Sequence, residues 1–297
     1  ALPIFQGFVS SSEIAALFGL SPYNTPYQVW AYHARGVRIE ADADERIEWG
    51  IRLQDDILAA TASTRRWDVE PNDGDKFVRH ADATVRAGAT VDAFVRNHER
   101  GLGVVEAKNL DRLIWLNDWS DTEAPAHIEL QLQHQLLVTG ARWGCIAALV
   151  GGNELKLYER EPRPKVHAAI IDQLAGFWAR IDKGDTPDPS EAADDRNLDA
   201  LAALFPLPTP KSVLDMRDDE AIAQAIQTYQ WAVEQRKFHT KIEHAKKAEI
   251  LATMQSNEVL RATGYRVTAS RGAGVRITVK EVAGDPPIQH KAPAVML

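Results

Sequence analysis

The spacing of apolar and polar positions predicts three helices in the first part of the chain. A run with helical period opens at Ser10–Glu13 and stops at Gly19. A second opens at Asn24–Pro26, where proline is tolerated in the first turn, and ends before Gly36. The third covers about Asp44–Ala62. We therefore expect a helical N-terminal part.

Strand character dominates the middle of the chain, with alternating apolar positions or short β-branched runs. The predicted strands are Lys76–His80, Ala89–Arg96, Gly103–Lys108, Trp143–Val150 and Glu154–Glu159. Helices are predicted between and after them, at Pro125–Thr139 and Lys165–Lys183. This order of elements favours an α/β (α+β) fold with a mixed central sheet flanked by helices.

The last third of the chain has a different composition. Residues 184–210 hold five prolines and several acidic residues, which indicates a connecting segment around a short helix at Leu198–Phe205. Residues 211–263 hold neither glycine nor proline, and their apolar spacing predicts one long helix or an antiparallel pair. Tyr265–Ser270 and Val275–Glu281 then alternate as a β-hairpin does. We expect a core at 1–185, a connecting segment at 186–210 and an extension at 211–297.

Composition narrows the class of protein. The 297 residues carry a net charge of −8, which argues against a protein that coats nucleic acid non-specifically but leaves room for a local DNA channel. One cysteine, Cys145, excludes an internal disulfide and a thiolate zinc site. The sequence contains neither a secretory signal pattern nor an apolar run of membrane-spanning length. These features predict a cytoplasmic protein without a membrane partner.

The candidate chemistry lies on either side of one predicted hairpin turn. Asp92 precedes the turn, and Glu106 and Lys108 follow it on the same face of a strand. Two carboxylates are hard oxygen ligands of the kind Mg²⁺ prefers, and a nearby lysine can orient water or stabilise negative charge. A Glu/Lys alternation also marks many solvated strand faces. The apolar neighbours in Gly103–Lys108 favour the functional interpretation, because charge on a buried strand is costly unless it is paired.

Several further motifs follow one another along the chain: Ser12–Ala16, Gly19–Pro26, Trp49–Leu53, Asp92 with Glu106–Lys108, Gln131–Gln133 with Val138–Gly140, and Gly151–Asn153. Their order resembles that of YqaJ-like phage recombinases and the lambda-exonuclease family. The resemblance covers roughly residues 5–185, so residues 1–185 would be the nuclease core. The extension at 211–297 would then be a DNA clamp, an oligomer contact or a partner contact.

The resemblance implies a restriction-endonuclease-like PD-(D/E)xK fold and a metal-dependent deoxyribonuclease. Such enzymes use Mg²⁺ or Mn²⁺, here expected as two ions, to degrade one strand of duplex DNA from its 5′ end. They release 5′-mononucleotides and leave a 3′ overhang, which a single-strand annealing protein uses in phage recombination and DNA repair. A closed ring of copies, with a trimer favoured, is implied, and the chain would act in a bacterial cytoplasm as a phage or prophage product.

The same resemblance assigns roles to individual residues. Asp92, Glu106 and the carbonyl of Ala107 would hold the metals, and Lys108 would manage the attacking water. Ser12 and Thr90 align with hydroxyls that receive a 5′-phosphate, and Gln131 lies in a helix beside the site.

Two positions depart from the family pattern. Gln54 stands where a glutamate is expected, so catalysis in this form is expected to be weakened, whether the glutamine is natural or was introduced to trap a DNA complex. Phe5 stands in place of an arginine used by some relatives, which leaves Arg52 as the expected phosphate-binding cation. The alternatives are a structure-specific or restriction-type endonuclease, and a catalytically inactive DNA-binding clamp.

Overall fold

The computed structural model describes residues 7–39, 45–72, 76–189, 194–206, 211–271 and 274–282. The chain forms two compact units, Ala1–Thr209 and Pro210–Leu297. The segment predicted as a connection at 186–210 therefore groups almost entirely with the first unit. Phe5 and Asp44 lie outside the described residues.

The first unit contains seven helices and seven strands among its described residues. The helices are α1 (Ile14–Leu17), α2 (Pro26–Arg35), α3 (Glu45–Arg65), α4 (Arg112–Asp118), α5 (Ala126–Thr139), α6 (Pro164–Lys183) and α7 (Asp195–Leu204), with a 3₁₀ turn at Ala83–Val85. The strands are β1 (Asp68–Pro71), β2 (Val78–Arg79), β3 (Gly88–Ala89), β4 (Ala93–Arg96), β5 (Gly103–Leu110), β6 (Trp143–Val150) and β7 (Glu154–Arg160).

Five of these strands form a mixed sheet in the order β1-β4-β5-β6-β7. The β4–β5 hairpin is antiparallel, with Ala93 opposite Val105. β5 and β6 are parallel, and the crossover between them carries α4 and α5. The predicted α/β fold with a mixed central sheet is confirmed.

Side chains alternate along β5, so both faces of the sheet present apolar groups, and a helix packs on each face. Val105 faces α3, where it shares a core cluster with Ile57 and Trp143. Val104 faces the other way and packs with Leu132 of α5. Trp143 lies across β5 at Gly103, where a Cβ atom would come within 2.5 Å of the indole ring. A side chain at that position would therefore displace the tryptophan and disturb the packing beneath α3.

The predicted strand Ala89–Arg96 is wrong as a single element. The chain pairs with β2 as far as Ala89 and changes partner before it resumes as β4. Asn72 holds the gap: its backbone amide donates to the carbonyl of Asp92 at 2.8 Å, and its side chain donates to the carbonyl of Val91 at 2.9 Å. Asp92 consequently lies at a break between strands rather than within one.

One strand and one helix of the first unit were not predicted, and one predicted helix was too short. β1 at Asp68–Pro71 and α4 at Arg112–Asp118 are additions. α3 continues to Arg65, three residues beyond the predicted end. α7 packs on α2 through a hydrogen bond of 2.6 Å from Thr25 Oγ1 to Asn197 Oδ1. The bond links the proline-rich stretch to the first unit.

The second unit consists of a long helix and a small sheet. α8 (Glu220–Met254) is one helix of 35 residues, which decides between the two predicted alternatives. The predicted extent to Thr263 is wrong, because residues 259–262 form the strand β8 (Val259–Ala262). β8 joins the predicted hairpin, β9 (Tyr265–Arg271) and β10 (Val275–Glu281), in the order β10-β9-β8. No helix in the described parts of either unit is long and apolar enough to span a bilayer.

Candidate active site

Glu106 is a buried carboxylate that accepts hydrogen bonds from three side chains. It projects from β5 towards α5 with 4 % of its side chain exposed. Its Oε1 accepts from Lys108 Nζ and from Gln131 Nε2, both at 2.5 Å. Its Oε2 accepts from Gln135 Nε2 at 2.5 Å. Three donors hold this carboxylate in one orientation, which is what a catalytic ligand needs.

Asp92 lies beside Glu106, as the hairpin prediction requires. Its Oδ2 accepts from the backbone amide of Ala107 at 2.7 Å. Burial raises the pKa of Asp92 to about 7, and the negative charge of Glu106 acts in the same direction. The amide of Ala107 and the charge of Lys108 only partly oppose that rise. Asp92 and Glu106 are therefore two carboxylates that repel each other in a poorly solvated site.

Lys108 completes the cluster from the same face of β5. Besides Glu106, its Nζ contacts Gln131 Oε1 at 3.2 Å. Burial by itself lowers the pKa of Lys108, but the charges and hydrogen bond of Glu106 and the charge of Asp92 outweigh it and raise the pKa above its usual value. The charged form of Lys108 is thus favoured, which suits it to orienting a nucleophile or stabilising an anionic group.

α5 supplies the polar groups on the other side of the cluster. Three consecutive buried residues of this helix bond to three different parts of the unit. Gln133 donates to the carbonyl of Glu161 at 3.0 Å, His134 shares a bond of 2.8 Å with Ser11, and Gln135 bonds Glu106. Burial lowers the pKa of His134 to about 3, so its ring stays neutral at physiological pH.

Gln131 lies one turn before Gln135 on the same face of α5. The structure thus brings Gln131 into the cluster, where the sequence placed it. Sequence reasoning missed Gln135. The available signal was its spacing of four residues from Gln131, which puts both amides on one helical face.

The residues present fit a divalent cation. Two carboxylates and a backbone carbonyl match the sparse protein ligation typical of Mg²⁺, which keeps several waters. Burial raises the pKa of Asp92 and the charge of Glu106 adds to the rise, and a bound divalent cation would oppose both effects. Among the described residues no group of three or more His, Cys, Asp or Glu side chains is arranged to hold a metal. Ligation would therefore rest on Asp92, Glu106 and the carbonyl of Ala107, with water completing the shell.

Ser12 and Thr90, the predicted phosphate-binding hydroxyls, project from neighbouring segments. Val9 and Ala87 form a parallel bridge, and each hydroxyl residue lies three positions beyond it. Both residues are exposed. The turn before α1 is held by Glu13, whose carboxylate accepts from the amide and hydroxyl of Ser10 at 2.8 and 2.7 Å. Both residues follow the bridge in the same chain direction, and the structure gives no hydrogen bond between Ser12 and Thr90.

Gln54 and Arg52 are not brought into the cluster. Gln54 is half-buried on α3, and the structure gives it no hydrogen bond to Asp92 or Glu106. Arg52 is exposed, contacts Glu48 at 3.3 Å and lies over the ring of Trp49. These contacts of Arg52 are with its own helix and not with Ser12 or Thr90.

Comparison with known proteins supports the resemblance drawn from the sequence. Residues 3–142 match the family model described as the YqaJ-like viral recombinase domain, a range that includes every predicted site residue. The uncharacterized protein YqaJ of Bacillus subtilis (strain 168) is 26 % identical over 198 residues. That match covers 63 % of this chain but only 58 % of the relative's length. The predicted YqaJ-like resemblance is confirmed.

Solved structures give the same fold. An alkaline exonuclease from Laribacter hongkongensis superposes with a TM-score of 0.51 at 16 % identity, over 62 % of this chain and 92 % of that one. Its complex with dAMP gives a TM-score of 0.50 at 16 % identity, over 61 % and 92 % of the two chains. At 16 % identity, the likeness to both structures shows a shared fold.

Proposed function

We propose that this chain, which carries a YqaJ-like viral recombinase domain over residues 3–142, is a divalent-metal-dependent nuclease that digests one strand of duplex DNA from its 5′ end. One observation carries the proposal. Asp92, Glu106 and Lys108 form a partly buried cluster whose side chains are held by the amide of Ala107 and by two glutamines of α5.

The residues of the cluster have distinct tasks in phosphodiester hydrolysis. Asp92, Glu106 and the carbonyl of Ala107 would hold Mg²⁺ or Mn²⁺, as two ions. The bound metal would polarise the phosphate and acidify a water molecule. Glu106 accepts from Lys108, Gln131 and Gln135, which occupy three of the roughly four lone-pair sites of a carboxylate. The remaining site, on Oε2, would be open to a metal ion, and Lys108, whose side chain is 23 % exposed, has room to shift if Oε1 were used as well.

Lys108 would then orient the attacking water or balance the negative charge that develops on the phosphate. Gln131 bonds both Lys108 and Glu106, so it would hold these two side chains in a fixed relative position. In-line attack on the phosphorus would expel the 3′-oxygen of the terminal nucleotide, which leaves as a 5′-mononucleotide carrying its original 5′-phosphate. The attacked phosphate would remain as the 5′-phosphate of the shortened strand.

Polarity would be set by the group that receives the end of the strand. Ser12 and Thr90 follow the Val9–Ala87 bridge in the same chain direction and are exposed, which suits hydroxyls that bind a terminal 5′-phosphate. Arg52 would add a cation if α3 approached the DNA end. The 3′ overhang would go to a single-strand annealing protein. We also propose that copies of the chain form a ring, with a trimer favoured, around the duplex.

The test is digestion of linear duplex DNA labelled at either end, in Mg²⁺ and in Mn²⁺, with a covalently closed circle as the second substrate. We expect mononucleotides to be released from the 5′ ends, and we expect the Asp92→Ala change to abolish this release. Nicking of the circle would contradict this proposal and indicate an endonuclease. Binding of duplex without cutting in either metal, by this chain and by Gln54→Glu, would replace it with an inactive DNA clamp.

A further inference from the structure

Tyr23 is an exposed aromatic side chain on an anchored backbone. It is 73 % exposed and lies in the loop between α1 and α2. The hydroxyl of Ser21 accepts from the amides of Tyr23 and Asn24, both at 3.1 Å, and Ser21 itself is buried. The loop continues into the capping box of Thr25 at the start of α2. A large aromatic ring is thus held out into solvent without burying itself against the protein.

The ring of Tyr23 borders groups from both parts of the proposed site. It lines a cleft of about 970 Å³ together with Ser12 and Asn24. It also contacts His127, which lies one turn before Gln131, the hydrogen-bond partner of Lys108. A nucleotide whose 5′-phosphate met Ser12 and whose 3′ linkage met the Asp92–Glu106 cluster would pass this ring.

His127 fixes one side of the tyrosine ring. The two rings meet edge to face, with centroids 6.0 Å apart and planes at 77°. His127 lies in the first turn of α5, four residues before Gln131 and on the same face. Burial and the charge of Lys108 lower the pKa of His127, so the ring is neutral and packs as an aromatic group. The T-shaped contact supports Tyr23 and leaves ring surface open to a ligand.

We propose that Tyr23 is a stacking platform for the base of the strand-terminal nucleotide, positioning its phosphodiester for cleavage. This inference rests on the proposed function, and it concerns a motif residue to which that function assigns no task. Stacking between a base and an aromatic ring tolerates any sequence, because every base has a π face. Such a platform suits an enzyme that must accept each nucleotide in turn. The phenol hydroxyl has no part in it.

The experiment measures stacking directly with 2-aminopurine, whose fluorescence falls when it stacks. The probe replaces the 5′-terminal base of a 5′-phosphorylated duplex, and Lys108→Ala protein keeps the duplex intact, as a gel verifies. The Lys108→Ala protein, which keeps Tyr23, should quench the fluorescence of the terminal probe. The double variant Lys108→Ala/Tyr23→Ala should not quench it. The Tyr23→Ala change should also weaken binding at least about fivefold. Tyr23→Phe should retain both effects.

Two controls separate the outcomes. Tyr229→Ala removes an equally exposed tyrosine, 70 % exposed on α8, and should change neither signal. A probe at the middle of the duplex should show no dependence on Tyr23. Equal quenching by Tyr23 and Tyr23→Ala proteins, or loss of quenching in Tyr23→Phe, would overturn the platform while leaving the nuclease proposal in place. Absence of duplex binding by the Lys108→Ala protein and by the unchanged chain would instead remove both.

Discussion

The side-chain amide of Gln135 donates a hydrogen bond of 2.5 Å to Oε2 of Glu106, and both residues are buried. This bond joins the centre of α5 to β5 across the interior of the first unit. It leaves Glu106 Oε1 to Lys108 and Gln131. The orientation of the carboxylate is therefore set by the helix as much as by the strand that carries it.

Replacing Gln135 with leucine should impair metal use more than folding. Loss of a hydrogen bond to a buried charge costs about 1.5–3 kcal/mol, which corresponds to about a tenfold or greater loss of turnover if Glu106 is misoriented. The Mg²⁺ concentration for half-maximal digestion should also rise. Gln133→Leu is the matched control, because Gln133 is an equally buried glutamine that bonds Glu161 and Arg163 instead. Equal Mg²⁺ requirements in the two variants would contradict this role for Gln135.

Asp92→Asn should stabilise the metal-free protein near neutral pH while abolishing digestion. The folded state raises the pKa of Asp92 to about 7, so it keeps a proton that the unfolded chain loses near pH 4. The contribution of Asp92 to stability therefore falls as pH rises between about 4 and 7 and is constant above. Urea unfolding in EDTA should show the Asp92→Asn protein to be the more stable at pH 8, with the difference shrinking towards pH 4. A difference independent of pH would contradict the raised pKa.

Gln54→Glu should increase Mg²⁺-dependent digestion. α3 packs against β5, the strand that carries Glu106, so a carboxylate at position 54 would add negative charge near that strand and favour cation binding. Single-turnover digestion of 5′-phosphorylated duplex measures the gain. Ala59→Glu adds the same charge to an exposed position on another side of α3 and serves as the control. If both variants change the rate equally, the effect is one of overall charge and position 54 has no special role.

The thiol of Cys145 should be unreactive in the folded protein. Cys145 is buried beneath α3, and burial raises its pKa to about 12, so almost none of it is thiolate at pH 8. Reaction with Ellman's reagent should be slow in buffer and rapid in guanidinium chloride. Rapid stoichiometric labelling of the native chain, without loss of helical circular dichroism, would contradict the buried position of Cys145.

The sequence predicted the parts of the site that depend on local geometry. A hairpin turn between two apolar strands places Asp92 near Glu106, because antiparallel strands joined by a short turn must pair. The period of two puts Glu106 and Lys108 on one face. The register of β4 with β5 and the bond from Ala107 to Asp92 agree with both arguments.

Prediction was poorer where an element depends on a distant partner. β1 has little strand character of its own and exists because β4 offers it an edge, and the break at Asp92 exists because Asn72 supplies the hydrogen bonds that a strand would. The strand β8 likewise depends on pairing with β9. Local propensity carries no information about such partners.

The sequence by itself determined the helical and strand periods, the capping residues and the types of side chain able to hold a metal. Only the tertiary structure decided which of those side chains meet. It brought Gln135 to Glu106, His127 to Tyr23 and Ser11 to His134, and it left Arg52 on its own helix. Periodicity acts over a few residues through backbone geometry, whereas these contacts join elements far apart in sequence and depend on how helices pack on a sheet.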